Sequence, residues 1–386
     1  MASVFKKGKT WMYRASYLDG HGKRHQPTKG GFRTKALATA AAIEVEHDKH
    51  TGVNLGESNI TLLDYYDQWI ATYKVGKHSR ITESHYPTIR RAINEYFGQT
   101  VLKDITRTKW QAFINEYAAG TVTPRNPRQP KPRSKDTVSK LNGYIKAMLN
   151  DAVADRIINI NFAAHVVNPG AKPQDAELKF LEMDEYHTLL NYCLEHASLR
   201  SMYQYVIIAA IMTGCRASEL IALQWDDIDF DKRIIHITKS WDYVYTHDFK
   251  ATKTPSSVRD IDVPVRLLDV LQKLHSEQRA ANLRTGYRDD KDMVFRNVKH
   301  EIPGDAALNH GLKRVEDKLG FASPVSFHGL RHTHVSYLLA KHCDIAYISH
   351  RLGHSDITIT LRVYQHLLKV YQTEQAEMAV DALNVL

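Results

Sequence analysis

Cysteine is scarce in this chain: three residues in 386, Cys193, Cys215 and Cys343, an odd number at wide spacing. That excludes a disulfide framework and reads as reduced, packed thiols in a cytoplasmic protein. Long apolar runs are missing as well. No stretch approaches the roughly 18 residues of a membrane span, and no signal-peptide pattern precedes Lys6-Lys7, so neither a span nor export is expected. Acid is short relative to base, 43 Asp and Glu against 52 Lys and Arg, for a net charge of +9. The surplus points to a polyanionic partner without separating DNA from RNA or a charged membrane surface. What is there is ordinary for a globular protein, 43% hydrophobic and 25% charged, but the chain is too long for one compact core and implies two or three domains.

The most informative stretch lies near the C-terminus: Ser326-Phe-His-Gly-Leu-Arg-His-Thr-His334, then Leu352-Gly-His354 and Arg362-Val-Tyr364. His328 and Arg331 are three apart and share a helix face, which sets an imidazole beside a guanidinium. Such a pair suits a phosphate, since arginine grips phosphate oxygens in bidentate fashion and keeps its proton. Pro324 and Ser326 sit where a helix would start, so free backbone N–H groups are expected close by. Upstream, Thr213-Gly-Cys-Arg216-Ala-Ser-Glu219 supplies a second cation, and Thr252-Lys253-Thr254 ahead of Ser257-Val-Arg259 supplies a lysine.

Singly, each residue has a commoner explanation: with twenty tyrosines and twenty-one histidines, most are packed aromatics or surface groups. Their joint order is far rarer. Arg216, Lys253, His328, Arg331, His354 and Tyr364, in Thr-Gly-x-Arg, His-x-x-Arg and Leu-Gly-His contexts with a Tyr ten residues on, resemble the active site of the tyrosine recombinases. These are the phage-integrase family of site-specific DNA recombinases. The resemblance is sharp from about Phe180 onward and looser before it.

It implies a multidomain fold, mainly α with small β-sheets. Residues 1–56 resemble an arm-type DNA-binding domain, a three-stranded sheet plus helix. They carry ten Lys or Arg against four acids, a surplus of six. Trp11 to Tyr17 and Lys23 to Thr28 read as strands about a turn at Asp19-Gly-His-Gly22, and Phe32 as the start of a third. Thr34 caps a helix expected to bury Leu37, Ala41 and Val45. Gly52 to Ser58 reads as a linker. Residues 59–165 resemble the four-helix core-binding domain. Its helices are expected to start at Thr61, to run from about Thr82 to Phe97, to bury Trp110, Phe113, Ile114 and Tyr117, and to run from about Asp136 to Arg156. A Pro-rich loop between Gly120 and Lys135 offers Arg125, Arg128, Lys131 and Arg133 with few acids to pair. Asn168-Pro-Gly170 and Lys172-Pro173 read as a hinge, and 175–386 as the mixed α+β catalytic domain with a C-terminal tail. Three strands are expected there, at 233–238, around Tyr243 to Phe249 and at 257–263, with Lys253 at a hairpin tip between the last two.

By the same resemblance Tyr364 is the nucleophile. Arg216 and Arg331 stabilise charge on the attacked phosphate, His328 accepts the tyrosine proton or hydrogen-bonds the phosphate, and His354 bonds a nonbridging oxygen. Lys253 protonates the leaving 5′-hydroxyl, while Glu219 holds Arg216 in place. Neither metal nor cofactor is implied. The expected partners are double-stranded DNA attachment sites, a homotetramer on DNA, a DNA-bending accessory protein and an excisionase, in the nucleoid of a bacterial host cell. The tail after Tyr364, with Leu368, Tyr371, Met378, Ala379, Ala382 and Leu383 at helical intervals, is expected to dock on its own domain or a neighbour. Rival readings are a chromosome-dimer resolvase, a type IB topoisomerase, a non-enzymatic DNA-binding regulator and a metal-dependent nuclease using His350 and His354.

Overall fold

The computed structural model describes residues 2–18, 24–50, 59–171 and 180–370, together with 376, 380, 381, 383 and 384. The chain divides into two compact units, Met1–Pro173 and Gln174–Leu386.

The first unit opens with β1 (Ser3–Lys7), β2 (Thr10–Arg14), β3 (Tyr17–Leu18), β4 (Arg24–His25) and β5 (Thr28–Phe32), followed by α1 (Lys35–His50). The antiparallel sheet runs β1-β2-β5, with β3 and β4 paired as a separate ribbon. The expected three strands are present in number but differ in identity. Ser3–Lys7 forms an edge the alternation did not mark, and Phe32 ends a strand rather than starting one. Gly30 lies where β5 crosses Met12, and a Cβ there would come within 2.8 Å of Met12 Cε, so a larger residue would require the methionine side chain to shift. Thr34 caps α1 through its hydroxyl, 3.3 Å from the Leu37 N–H. The helix buries its alanines instead of its leucine: Ala38 and Ala42 are buried with Ala41 and Val45 against Tyr13 and Phe32, whereas Leu37 is 54% exposed. Short side chains let the helix lie close on a small sheet. The expected turn at 19–22 and the linker at 52–58 fall outside the described residues.

The helical part holds α2 (Leu62–Tyr73), α3 (Arg80–Glu83), α4 (His85–Phe97), α5 (Arg107–Ala119) and α6 (Lys135–Ala154). Thr61 caps α2, accepting from the Asp64 N–H at 3.0 Å while its hydroxyl donates back to Asp64 Oδ2 at 2.7 Å. The helix expected from Thr82 to Phe97 breaks at Ser84 into α3 and α4. Its core is aromatic: Phe97 stacks on Trp110, which meets Phe113 and Phe162. The indole N–H of Trp110 is satisfied by buried Asn142 at 2.9 Å.

In the Pro-rich loop Arg133 is not an open cation. Its guanidinium lies 4.0 Å above the Tyr117 ring and donates to the carbonyls of Tyr117, Val122 and Thr123. Gly120, at φ +83°, ends α5 where a Cβ would strike the Lys131 carbonyl oxygen at 2.2 Å. The first half of the expected hinge is tied down as well: the Ala171 N–H donates to Arg133 O, and the Lys135 N–H donates to Ala171 O. Lys172-Pro173 lies outside the described residues.

The second unit comprises α7 (Met183–His196), α8 (Met202–Thr213), α9 (Ala217–Leu220), β6 (Ile228–Asp229), β7 (Ile234–Ile237), β8 (Ser240–Asp242), β9 (Asp248–Lys250), β10 (Arg259–Asp262), α10 (Val265–Thr285), α11 (Asp305–Leu319), α12 (Gly329–Ala340), α13 (Ile345–Leu352) and α14 (Ile357–Val370). Apolar on every side, α8 is the central helix, wrapped by α7, α10, α11 and α12. Two small sheets flank it, β10-β7-β6 and β8-β9. The single strand expected around Tyr243 to Phe249 is therefore two strands about a turn, because Asp242 accepts from the Val244 and Tyr245 N–H groups and folds the chain back. All three cysteines are free thiols; Cys193 and Cys215 are buried, and burial pushes Cys193 up to about 12. Among the described residues no helix is long and apolar enough to cross a membrane. Most of the tail after Val370 falls outside the described residues.

Candidate active site

The central helix α8 delivers the first cation. It ends at Gly214, φ +69°, where a Cβ would sit 2.5 Å from the His334 ring, so only glycine allows both the left-handed cap and the approach of α12. Two residues on, Arg216 precedes α9 and bonds Glu219 Oε1 from Nη1 at 2.6 Å, and Ser257 Oγ at 3.3 Å. The other carboxylate oxygen accepts from the Arg216 N–H and from Arg259 Nη2, each at 3.1 Å. Burial favours the neutral acid, but the guanidiniums of Arg259 and Arg216 outweigh it and hold the Glu219 carboxyl below its usual range.

Arg331, 4% exposed, projects from α12 into the same cluster. Nη1 donates to Gly214 O and Nη2 to Leu352 O, both at 2.8 Å, and Nη2 also reaches His354 Nε2 at 3.1 Å. Burial and the neighbouring Arg216 bring its pKa down to about 10, which leaves it charged at neutral pH. Because arginine only donates, His354 accepts at Nε2 and gives its Nδ1 proton to Thr360 Oγ1, 2.7 Å away. Burial and then Arg331 push His354 to about 4, so it stays neutral. In this arrangement His354 has no free N–H for a phosphate oxygen; it braces Arg331 and would have to release Nε2 to bind one.

Gly353 brings a third approach. At φ +71° it leaves room for the Ser256 carbonyl, which a Cβ would meet at 3.0 Å, and for Arg259. Arg216 and Arg259 thus share one carboxylate, Glu219, and Arg331 stands near enough to feel the charge of all three while its own contacts go to two carbonyls and His354. Arg331 has no carboxylate at ion-pair distance among the described residues, so the cluster carries more positive than negative charge, in a site where Arg216 keeps 27% of its side chain open to solvent. A buried charge excess of this kind is stabilised by an entering anion. His328, whose ring meets solvent, stands against this cluster, and burial together with Arg331 and Arg216 lowers its pKa. The backbone N–H groups expected to be free there are occupied: those of Gly329, Leu330 and Arg331 donate to the carbonyls of Ser326, Phe327 and His328.

Tyr364 is held by a different set of contacts. It is 3% exposed in a satellite core with Val335, Leu339, Ile348 and Leu352, and its hydroxyl is 2.7 Å from His332 Nδ1. Burial raises its pKa well above the ordinary tyrosine range, only partly offset by Arg331. Lys253 is exposed. Its loop joins β9 to β10, which belong to different sheets, so it is not a hairpin tip. The loop's far end is anchored where Ser257 meets Arg216 and Ser256 meets Gly353 O. The fold therefore gathers Arg216, His328, Arg331 and His354, sets Tyr364 against His332, and leaves Lys253 on the rim.

Sequence reasoning passed over His332, Arg259, Arg351 and His334. Buried Arg351 donates to His334 Nε2, Met212 O and Asp262 O, and His334 donates to Ile211 O; together they clamp α8, β10 and α12. Burial drives His334 to about 3. Both histidines sit inside the quoted 326–334 motif, but nothing in their spacing separated them from His328. Among the described residues no three His, Cys, Asp or Glu side chains gather as metal ligands.

The Phage integrase family model matches residues 179–370, an Arm DNA-binding domain model matches 3–49, and a Phage integrase SAM-like domain model matches 61–166. Similar proteins include the tyrosine recombinase XerC-like protein of Caldanaerobacter subterraneus, 26% identical over 99% of this chain and 97% of its own. The integrase of Salmonella phage P22 is 24% identical over 99% and 95%, and the ICEBs1 integrase of Bacillus subtilis 24% over 91% and 90%. Among solved structures, the Tn1549 transposon integrase in complex with transposon right-end DNA superposes with a TM-score of 0.65 at 18% identity, over 82% of this chain and all of that one. A lambda integrase dimer bound to a core site superposes at 0.57 and 17%, over 93% of each. These two likenesses show the fold.

Proposed function

The chain belongs to the phage integrase family of site-specific tyrosine recombinases, and on that premise we propose that it cuts and rejoins DNA at attachment sites to integrate and excise a phage or mobile element. The observation that carries the reading is the guanidinium excess of a cluster in which Arg216 and Arg259 share Glu219 and neighbouring Arg331 has no carboxylate partner among the described residues. A phosphodiester under attack gains charge on its nonbridging oxygens, and fixed arginines stabilise it without reorganising.

In this reading Tyr364 attacks the phosphate to leave a 3′-phosphotyrosyl link and a free 5′-hydroxyl. Arg216 and Arg331 hold the nonbridging oxygens, with His328 hydrogen-bonding the phosphate and His354 bracing Arg331. Lys253, exposed on its loop, swings in to protonate the leaving oxygen. The bond energy stays in the phosphotyrosine, ready for attack by a partner strand. Residues 59–165 grip the core site, and the basic 1–56 module binds arm sites through phosphates. Four copies act on two duplexes, a reading supported by the similar fold of a lambda integrase tetramer bound to a Holliday junction. Bending and excision proteins direct the outcome.

The test is recombination of two DNA sites by the purified chain, with the junctions sequenced. Exchange between element and chromosomal sites is expected. Exchange restricted to a single chromosomal site type would favour dimer resolution, the reading to which the XerC-like relative lends weight.

A further inference from the structure

The tyrosine proton needs a destination. Tyr364 is buried and its pKa is raised, so its hydroxyl is protonated at neutral pH and must hand that proton to a neighbour before or during attack. His328 is not the ring in contact with it. The ring in contact is His332, one helical turn along α12, with Nδ1 2.7 Å from the tyrosine oxygen and ring centroids 5.6 Å apart. A neutral phenol is a donor, which makes Nδ1 the acceptor and places the imidazole proton on Nε2. His328 stands edge-on to His332, with centroids 5.2 Å apart, on the side of Arg331 and Arg216.

Resting on the reading of Tyr364 as nucleophile, we propose that His332 is the general base that takes the Tyr364 proton, and that His328 serves the phosphate instead. As the tyrosine oxygen bonds to phosphorus, its proton passes to His332 Nδ1, and the electron pair of the breaking P–O5′ bond leaves on the 5′ oxygen, which Lys253 protonates. In resealing, the 5′-hydroxyl returns its proton to Lys253 as it attacks, and the departing phenolate recovers its proton from the His332 imidazolium. Nothing outside the chain and the DNA is consumed. The arrangement also holds the nucleophile at a fixed distance from its base while Tyr364 is packed in its satellite core. Because His332 is only partly buried, its replacement leaves the apolar core of α12 intact.

The experiment measures single-turnover formation of the covalent protein–DNA adduct on a nicked core site by the full chain. His332→Asn and His332→Gln should bind the site within about twofold of wild type yet cleave at least about 100-fold more slowly, the lower end of general-base effects. Installing a fluorinated tyrosine, a more acidic phenol, at position 364 should restore at least about tenfold of that loss. The same fluorotyrosine should give no such rescue to His328→Asn or Lys253→Ala. A His332→Asn chain cleaving within about threefold of wild type would overturn the proposal, as would fluorotyrosine rescue of His328→Asn in its place. Adduct formation by Tyr364→Phe would instead remove the nucleophile reading on which the proposal rests.

Discussion

Arg331 and Tyr364 are almost equally buried, at 4% and 3% exposure, yet they are held in different ways. Arg331 is fixed by polar contacts from three directions, the carbonyls of Gly214 and Leu352 and the ring of His354. Two of its neighbours, Gly214 and Gly353, are glycines at positive φ that a larger residue could not replace without collision. Tyr364 sits among aliphatic side chains with one hydrogen bond, to His332, on a helix whose outer positions Ile357, Ile359, Leu361 and Val363 are partly exposed. The proposed anion pocket has its guanidiniums already fixed by contacts within the chain. Tyr364, the proposed nucleophile, is held protonated in a small apolar core against His332. That difference teaches how the two demands of such a site differ: electrostatic stabilisation requires preorganisation, whereas a buried hydroxyl must first give up its proton.

Each half can be broken separately. Arg331→Ala should cost the most, about 10³ to 10⁵ in cleavage rate, the range for arginines that stabilise phosphoryl transfer, measured as initial rate of adduct formation. A loss under tenfold would mean the pocket is not where the phosphate sits. Lys253→Ala should slow cleavage about 10² to 10⁴, and a substrate with a 5′-bridging sulfur, whose leaving group needs little protonation, should recover much of it. Arg216→Ala should gain nothing from the sulfur, and equal slowing on both substrates would move Lys253 to phosphate binding.

Glu219→Gln tests the pocket as a structure. Removing the carboxylate that Arg216 and Arg259 share should destabilise the fold by about 3 kcal/mol or more, read by denaturant unfolding. Because the Glu219 pKa is depressed, its contribution is full above the ordinary carboxyl range and is lost as pH falls through its lower folded value. The histidines add an acid limb at higher pH. His334 is held neutral with its pKa near 3 and His354 near 4. Unfolded imidazoles take up protons below about pH 6.5, so stability should be full above that pH and fall by up to about 1.4 kcal/mol per pH unit per histidine beneath it. His334→Gln should flatten that limb, and an unchanged slope would mean His334 is charged inside. The smallest effect on chemistry is expected from deleting residues 1–56. Core-site cleavage should stay within about threefold while recombination that depends on distal arm sites is lost, and parallel loss of both would place the module in the core-site grip.

Much of this arrangement is legible in the sequence, for reasons that particular residues show. Arg216, His328, Arg331 and His354 sit in short motifs whose spacing is nearly their geometry, since Arg216 and His354 each follow a helix end that a glycine caps, and His328 and Arg331 flank the start of α12 one helical turn apart. The apolar run in α8 announces a buried helix on its own. His332 was not legible, although it lies within the same nine residues, because its role depends on how α14 crosses α12, which no local spacing records. Strand β1 was missed because Ser3–Lys7 is largely solvated and carries little alternation. The expected strand at 243–249 failed because Asp242 caps a turn through its side chain. Arg133 reads in sequence as a loop cation with few acids to pair, and its actual partners, the loop's own carbonyls and the Tyr117 ring, come together only in the fold.

The most direct measurement is to trap the covalent complex on a nicked core site, digest it and locate the nucleotide-bearing peptide by mass spectrometry. The account predicts a single adduct, on Tyr364, absent from Tyr364→Phe although that variant binds the site as tightly as wild type. An adduct on another residue, or one that persists in the phenylalanine variant, would contradict it.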